Sequence, residues 1–165
     1  MTTIDALKNL SIAAGCGEAS GDTTAEIINH IADNYTPPTP ANLFDINGEV
    51  DVNYAGEKQN INTVTDNIIT CGVNSSVRHA TGQMIDTIVG EKYLFKANVL
   101  SLGNGAGAML CCYPYNDAPD EQDVYTSKIG IVEFEYTALL DKTLFGFATS
   151  GGTGAQFTDI KVIKL

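Results

Sequence analysis

Two glutamates, Glu133 and Glu135, are the residues whose spacing most resembles a catalytic pair. They lie two apart within the apolar segment Ile129–Thr137, and residues at this spacing on a strand share one face. Two carboxylates roughly 5 Å apart are the apparatus of retaining glycoside hydrolases. The alternative is a strand face in water, and no neighbouring residue type suggests an environment that raises the pKa of a carboxyl group. We therefore predict no catalytic residue and a protein that is not an enzyme.

The stretch from Tyr113 to Asp123 is the second candidate, because it combines tyrosine, proline and acidic residues in one loop. Its oxygens are of the kind that bind calcium, and tyrosine rings can stack on a sugar. The stretch does not match the twelve-residue calcium-binding loop, so we assign no metal ligand. The alternative is an acidic surface loop restrained by proline. The residues that would contact a ligand are Tyr113, Tyr115, Asn116, Asp117 and Tyr125.

Histidine and cysteine offer no further site. His30 and His79 are the only histidines and fall in different predicted parts of the chain, which argues against a two-histidine metal site. The four cysteines include no Cys-x-x-C pair, and the adjacent Cys111 and Cys112 would point to opposite faces of a strand. We expect reduced thiols, no metal and no cofactor.

The charge of the chain limits its partners. Nine Lys and Arg stand against 20 Asp and Glu, which gives a formal charge of −11 over 165 residues. A surface this acidic repels phosphate groups, so we expect neither nucleic acid nor an anionic membrane as a partner. No apolar run approaches the roughly 18 residues that cross a bilayer, and the N-terminus lacks a basic region followed by an apolar one. We expect no membrane insertion, no secretory leader and synthesis in a reducing cytoplasm.

Residues 1–35 predict two short helices in a hairpin. Apolar residues recur at three-residue spacing in the first helix, which ends near Gly15. The second begins at Thr23, which forms a capping-box pattern with Glu26. Helices this short need a partner: the rest of the chain, sister copies or another protein. Packing of the two helices on each other and assembly with other molecules are both open roles for Ile4, Leu7, Leu10, Ile27, Ile28, Ile31 and Tyr35.

The composition changes at residues 36–41, where three of the five prolines make a stiff, extended linker. Beyond it, short runs of alternating apolar and polar residues are separated by Gly, Asn and Asp. In the clearest run, Tyr93, Phe95, Ala97 and Val99 share one face. The predicted strands are Glu49–Tyr54, Asn60–Thr65, Asn67–Val73, Gln83–Val89, Lys92–Ser101, Ala106–Tyr113, Ile129–Thr137, Thr143–Thr149 and Phe157–Leu165.

Many short strands without intervening helices predict an antiparallel β-sandwich of the jelly-roll type. The expected protein is therefore mostly β. It comprises a helical segment for anchoring or oligomerisation at residues 1–35, a proline-rich linker at 36–41 and a jelly-roll domain at 42–165.

Several segments resemble known proteins. The sequence Asn-Leu-Phe-Asp at Asn42–Asp45 resembles the start of jelly-roll domains in phage tail, fibre and baseplate proteins. Val89–Asn98 is similar to a stretch of carbohydrate-binding-module-like domains in which a tight turn leads into an aromatic core strand, and Phe157–Val162 is similar to their last strand. The first 35 residues resemble the N-terminal segment of small phage virion proteins. The chain departs from sugar-binding modules in having no tryptophan, the favoured platform for sugar stacking.

The resemblance implies a structural protein of a bacteriophage virion, a head fibre or a capsid decoration, with a carbohydrate-binding-module-like jelly roll. Its helices would dock on capsid or fibre subunits or on sister copies, giving a homo-oligomer, which by analogy with projecting phage fibres would be a trimer. The first alternative is a carbohydrate-binding module that recognises a glycan of the host surface. The second is an enzyme that cleaves glycans with Glu133 and Glu135.

Overall fold

The fold is given by a computed structural model, which describes residues 2–37, 39–59, 61–72, 80–116 and 122–165. The chain divides into two compact units, Met1–Thr39 and Pro40–Leu165, and the division falls inside the proline-rich segment. In the described ranges, no helix combines the length and the apolar character that a membrane span requires.

The first unit, which we call the helical unit, consists of α1 (Thr3–Ala13) and α2 (Thr24–Asn34). The predicted capping box of α2 is confirmed: the backbone N–H of Glu26 donates to the Thr23 hydroxyl, and the Glu26 carboxylate accepts from the Thr23 N–H. Thr2 and Asp5 form a second capping box, which was not predicted, at the start of α1. After α1 the chain turns at Gly15, whose φ of +77° is in the region that glycine adopts without strain.

The second unit is an antiparallel β-sandwich. Its strands are β1 (Thr63–Thr65), β2 (Ile68–Thr70), β3 (Thr81–Asp86), β4 (Lys92–Leu102), β5 (Gly107–Pro114), β6 (Gln122–Thr126), β7 (Gly130–Thr137), β8 (Lys142–Ser150) and β9 (Ala155–Lys164). They form a five-stranded sheet in the order β1-β2-β9-β4-β7 and a four-stranded sheet in the order β3-β8-β5-β6. The predicted fold class, a mostly β jelly-roll sandwich preceded by two short helices, is confirmed.

The core between the sheets follows the predicted alternation. The inward residues of β4 from Tyr93 to Val99 are at most 1% exposed. Phe95 lies at the centre, with its ring edge-on to Phe145 and Phe147 at centroid distances of 5.4 and 5.6 Å. Edge-to-face rings add to the free energy of burial, so this aromatic cluster stabilises the sandwich.

The Asn-Leu-Phe segment before the first strand is attached along β9. The Asn42 amide donates to the carbonyl of Ile160, and its side-chain oxygen accepts from the N–H of Val162. Phe44 is 6% exposed, and its ring packs edge-on against Phe147. The asparagine thus supplies the hydrogen bonds of a missing strand neighbour, while the phenylalanine fills the end of the core.

One predicted strand is absent from the structure, and one strand of the structure was not predicted. Glu49–Tyr54 is not a strand: Val52 forms only isolated bridges, with Lys58 and with Gly82. The chain bends there because the Asn53 side-chain oxygen accepts from two backbone N–H groups further along, which makes a turn. Conversely, β6 was not predicted, because Val124 is its one inward apolar residue and acidic residues surround it in the sequence.

The central strands of the four-stranded sheet, β5 and β8, are buried on both faces, whereas simple alternation predicts one face in water. Every residue of β5 is buried. Cys112 lies in the core between the sheets and Cys111 on the other face, so the predicted divergence of the two thiols is confirmed. A second apolar cluster covers that outer face, and its members include Val52, Tyr54, Ala80, Met84, Met109, Tyr113, Leu144 and Ala148.

Candidate functional site

The predicted ligand-binding tyrosines do not share one environment. Tyr113 is 1% exposed beneath Tyr54, at a ring centroid distance of 6.3 Å. It therefore belongs to the second apolar cluster, which corrects the prediction that it contacts a ligand. Tyr115 is 37% exposed, and its ring lies beside Gly56. Asn116 is exposed and donates its backbone N–H to the carbonyl of Tyr54. Asp117 lies outside the described residues.

Tyr125 is separated from Tyr115. It lies on β6 opposite Met109, is 49% exposed, and donates its hydroxyl to the carbonyl of Ala106 at 2.8 Å. Tyr115 follows the far end of β5, six residues beyond Met109, which at roughly 3.3 Å per residue is about 20 Å away along the strand. The described members of the predicted set therefore form two separate exposed rings, not one binding site.

The two glutamates lie on the open outer face of the five-stranded sheet. Glu133 pairs with Lys96, its partner across the strand, at 2.9 Å, and Glu135 pairs with Lys92 at 3.2 Å. Their side chains are 49% and 57% exposed. A general acid is usually held protonated by an apolar environment, whereas each of these carboxylates has an ammonium partner in water. The arrangement is that of a solvated charged face.

The thiols are buried and structural. Burial, with a smaller contribution from the charge of Asp51, raises the pKa of Cys71 to about 12, and burial raises the pKa of Cys112 well above its ordinary value. Both are therefore protonated at neutral pH and poor nucleophiles. In the described parts of the chain, no three His, Cys, Asp or Glu side chains are grouped as metal ligands. His30 contacts the carbonyl of Cys16 at 2.9 Å, and His79 lies outside the described residues.

A polar cleft lies beside the segment Glu49–Tyr54, which was predicted to be a strand. Its volume is about 540 Å³, and its lining residues are Asn47, Gly48, Glu49, Val50, Asp51, Lys58, Asn62 and Val64. Glu49 and Lys58 form an ion pair of 2.8 Å on one wall, and the hydrogen bond that Lys58 donates to the Glu49 carboxylate raises the pKa of Lys58. Asp51 is 4% exposed, and its carboxylate accepts from the N–H groups of Ile61 and Asn62. The cleft offers polar side chains to a small ligand.

The sequence gives little sign of this cleft, because its walls come from two segments that the fold brings together. The buried carboxylate of Asp51 holds residues 61 and 62 against the segment that bears it. Asn62 then donates its amide to the carbonyls of Val50 and Thr81. An alternation of acidic and apolar residues at Glu49–Asp51 was the available signal, and it also fits an exposed strand.

The predicted assembly residues of the helical unit divide by exposure. Ile27 is fully buried, so it packs inside the unit, which is one of the two roles left open for it, and does not lie on an assembly surface. Ile4, Leu7 and Ile31 are half-buried. Those that remain on the surface are Leu10, Ile28 and Tyr35, at 55%, 51% and 47% exposure, together with Ile12, at 55%, which was not predicted.

A second group of exposed apolar side chains lies on the sandwich. Ile131 is 68% exposed on β7, the last strand of the five-stranded sheet, opposite Asn98. Ile129, two residues before Ile131, and Leu100, two residues beyond Asn98 on β4, are 69% and 41% exposed. The ion pair of Lys96 and Glu133 borders this group. Exposed apolar side chains therefore occur on both units.

Comparison with known proteins gives likenesses of fold alone. No protein-family model matches the chain, and no curated protein matches it. A solved chain described as "CBM4 structure and function", a carbohydrate-binding module, matches with a TM-score of 0.45 and 20% identity. The match covers 64% of this chain and 76% of that one. The chain therefore has a carbohydrate-binding module among its structural neighbours, and a likeness this distant carries no information about a ligand.

Proposed function

We propose that the chain is a non-enzymatic structural protein of a bacteriophage virion, a head fibre or capsid decoration. In this role the helical unit attaches the protein to capsid or fibre subunits and to sister copies, and the β-sandwich is exposed on the particle. The proposal joins the resemblance of the N-terminal segment and of Asn42–Asp45 to phage proteins with the distribution of apolar side chains between the two units.

The observation that carries the attachment role is the small interior of the helical unit. Among its described residues, the buried apolar side chains are Cys16, Ala19 and Ile27, whereas four large ones are 47–55% exposed. Units of about 40 residues usually need a further source of stability. Burying the exposed side chains against another molecule would supply it, at roughly 25 cal/mol per Å² of apolar surface. The sandwich, with its large aromatic core, has no such need.

The acidic charge suits a protein displayed in many copies. A net charge of −11 keeps neighbouring molecules soluble at the high local concentration of a particle surface. The ion pairs of the outer sheet face, from Lys92 to Glu135 and from Lys96 to Glu133, likewise present a charged surface to water.

The test is incorporation into particles. Mass spectrometry of purified virions of the phage that encodes the chain should detect it, and deletion of residues 2–36 should leave a soluble sandwich that is lost from them. The control is the full chain produced at the same level. Truncated protein that joins particles as efficiently as the full chain would refute the attachment role.

A second candidate function, recognition of a host-surface glycan by the sandwich, is favoured by the polar cleft and by the exposed ring of Tyr115. Glycan-array binding that is lost on Lys58→Ala or Tyr115→Ala, but not on Tyr125→Ala, would support it and identify which of the two places binds. Uniform background binding across a broad array would argue against it.

A further inference from the structure

We infer that copies of this chain associate with one another along α2, through the stripe formed by Ile28, Ile31 and Tyr35, which we call the α2 stripe. The inference rests on the proposed function, in which the helical unit is an attachment module, and it names a sister copy as the partner of this surface.

The spacing of the α2 stripe is that of a helix-packing seam. The three residues follow one another at intervals of three and four, as the apolar positions of a coiled coil do. At 100° per residue they lie within about 60° of one another around the helix. Tyr35 caps α2 and donates its backbone N–H to the carbonyl of Ile31 at 2.8 Å, so the helical path continues to it. Ile27 points into the unit, and Ile31, one turn further along, is half-buried beside it, so the stripe borders the face that packs on α1 and its exposed part is formed by Ile28 and Tyr35.

The charges of α2 favour a second copy as the partner. Its two acidic residues, Glu26 and Asp33, are seven apart and lie on the side of the helix opposite the stripe. The side chains that flank the stripe on α2 are uncharged and include Ala25 and Ala32, which are small enough to let a second helix approach. Copies of a chain with a charge of −11 repel each other over most of their surface. The α2 stripe is a place where two identical surfaces can meet without that repulsion.

The size of the stripe sets the strength of the association. An 11-residue helix is about 16 Å long and presents roughly one and a half heptads, so a pair of stripes buries less than a standard interface does. Around a shared axis of three copies each stripe meets two neighbours, which increases the area buried per copy. The association is therefore weak in dilute solution and is strengthened when copies are held side by side on a particle.

Sedimentation velocity of the full chain, from about 10 µM to 1 mM, tests the inference. We expect a weight-average mass that rises from 17.5 kDa towards two to three times that value in the wild-type protein. The variant Ile28→Asp should stay at the monomer mass throughout. Asn29→Asp adds the same charge one residue away, outside the stripe, and should still associate. Ile131→Asp places a charge in the exposed apolar group of the sandwich and should also still associate.

Cross-linking gives a second measurement that does not depend on a destabilising change. Oxidation of Ile28→Cys at high concentration should yield a covalent dimer, whereas Asn29→Cys should not, and the four native cysteines are buried. A wild-type chain that stays monomeric, together with no cross-link through position 28, would overturn the inference. Dissociation by Ile131→Asp and not by Ile28→Asp would also overturn it. If such a monomeric chain still joins particles, the attachment role stands and the partner of the stripe is the particle.

Discussion

Replacing Ile27 by alanine should unfold the helical unit while leaving the sandwich intact, and replacing its neighbour Ile28 should not. Ile27 is fully buried and Ile28 is 51% exposed, so the two variants make the same chemical change on the same helix in different surroundings. Removing a buried isoleucine side chain costs about 2–5 kcal/mol through lost burial and the cavity left behind. For Ile28 at most about 1 kcal/mol of burial is lost, and the better helix propensity of alanine offsets part of it.

The free-energy cost of Ile27→Ala is large compared with the free energy of unfolding of the helical unit. At roughly 0.05–0.15 kcal/mol per residue, 39 residues have a free energy of unfolding of about 2–6 kcal/mol. Ile27→Ala therefore removes most or all of this free energy of unfolding, whereas Ile28→Ala leaves most of it unchanged. Because 1.4 kcal/mol is a tenfold change in an equilibrium constant, the population of the open helical unit should rise about 30-fold or more in the first variant and about twofold in the second.

Hydrogen exchange followed by mass spectrometry measures this population peptide by peptide. In dilute Ile27→Ala, peptides from α1 and α2 should lose protection, and peptides from β4, β5, β8 and β9 should keep that of the wild-type protein. Equal loss in the two variants would refute the burial argument. Loss in the strands together with the helices would refute the division of the chain into units that are stable separately.

The remaining predictions concern the caps, the thiols and the sandwich core. Hydrogen bonds from Thr2 and Thr23 lower the pKa values of Asp5 and Glu26 from 3.8 and 4.5. The stability that these two carboxylates contribute is therefore present above pH 3.8 and 4.5, and it is lost as the pH falls through the lowered pKa values. The helical circular dichroism signal should fall in that pH range, and it should fall less in the double variant Asp5→Asn with Glu26→Gln. Since burial raises the pKa values of Cys71 and Cys112, iodoacetamide at pH 8 should leave both unmodified in the folded chain, and labelling that matches that of the denatured chain would contradict their burial. Phe95→Ala should cost the sandwich about 3–5 kcal/mol in urea denaturation, because the ring is fully buried among other aromatic rings, and a loss below about 1 kcal/mol would contradict that packing.

Local patterns in the sequence predicted the features that depend on neighbouring residues. The cap at Thr23 and Glu26 needs only contacts three residues apart. The strand around Phe95 is specified by alternation over eight residues, which the pleat converts directly into an inner and an outer face. These features needed no knowledge of the rest of the chain.

Features that depend on distant segments were missed. Alternation gives Tyr113, on β5, and Tyr115, just beyond its end, the same parity, but it cannot show that Tyr54, 59 residues earlier, covers the first of them and not the second. This covering segment, Glu49–Tyr54, was itself predicted to be a strand, but it forms a turn with a cleft beside it. The residues that hold it there, Asn62 and Gly82, come later in the chain. The exposure of Ile28 beside the buried Ile27 likewise depends on the direction from which α1 packs.

Two exposed apolar surfaces could hold this protein in an assembly, and their surroundings distinguish them. The group around Ile131 lies on a sandwich whose stability comes from its own core, and a lysine–glutamate pair borders it, so covering it would remove water from charged groups as well. The α2 stripe has uncharged neighbours and belongs to a unit with few buried apolar side chains. Covering the stripe therefore removes water from fewer charged groups than covering the group around Ile131 does. It also stabilises the helical unit, which has the smaller core, because contacts of α2 with a partner hold α2 against α1. Attachment through the helices should consequently raise their protection against hydrogen exchange on assembled particles. Unchanged protection of α2 on the particle, with the group around Ile131 protected in its place, would assign the attachment to the sandwich.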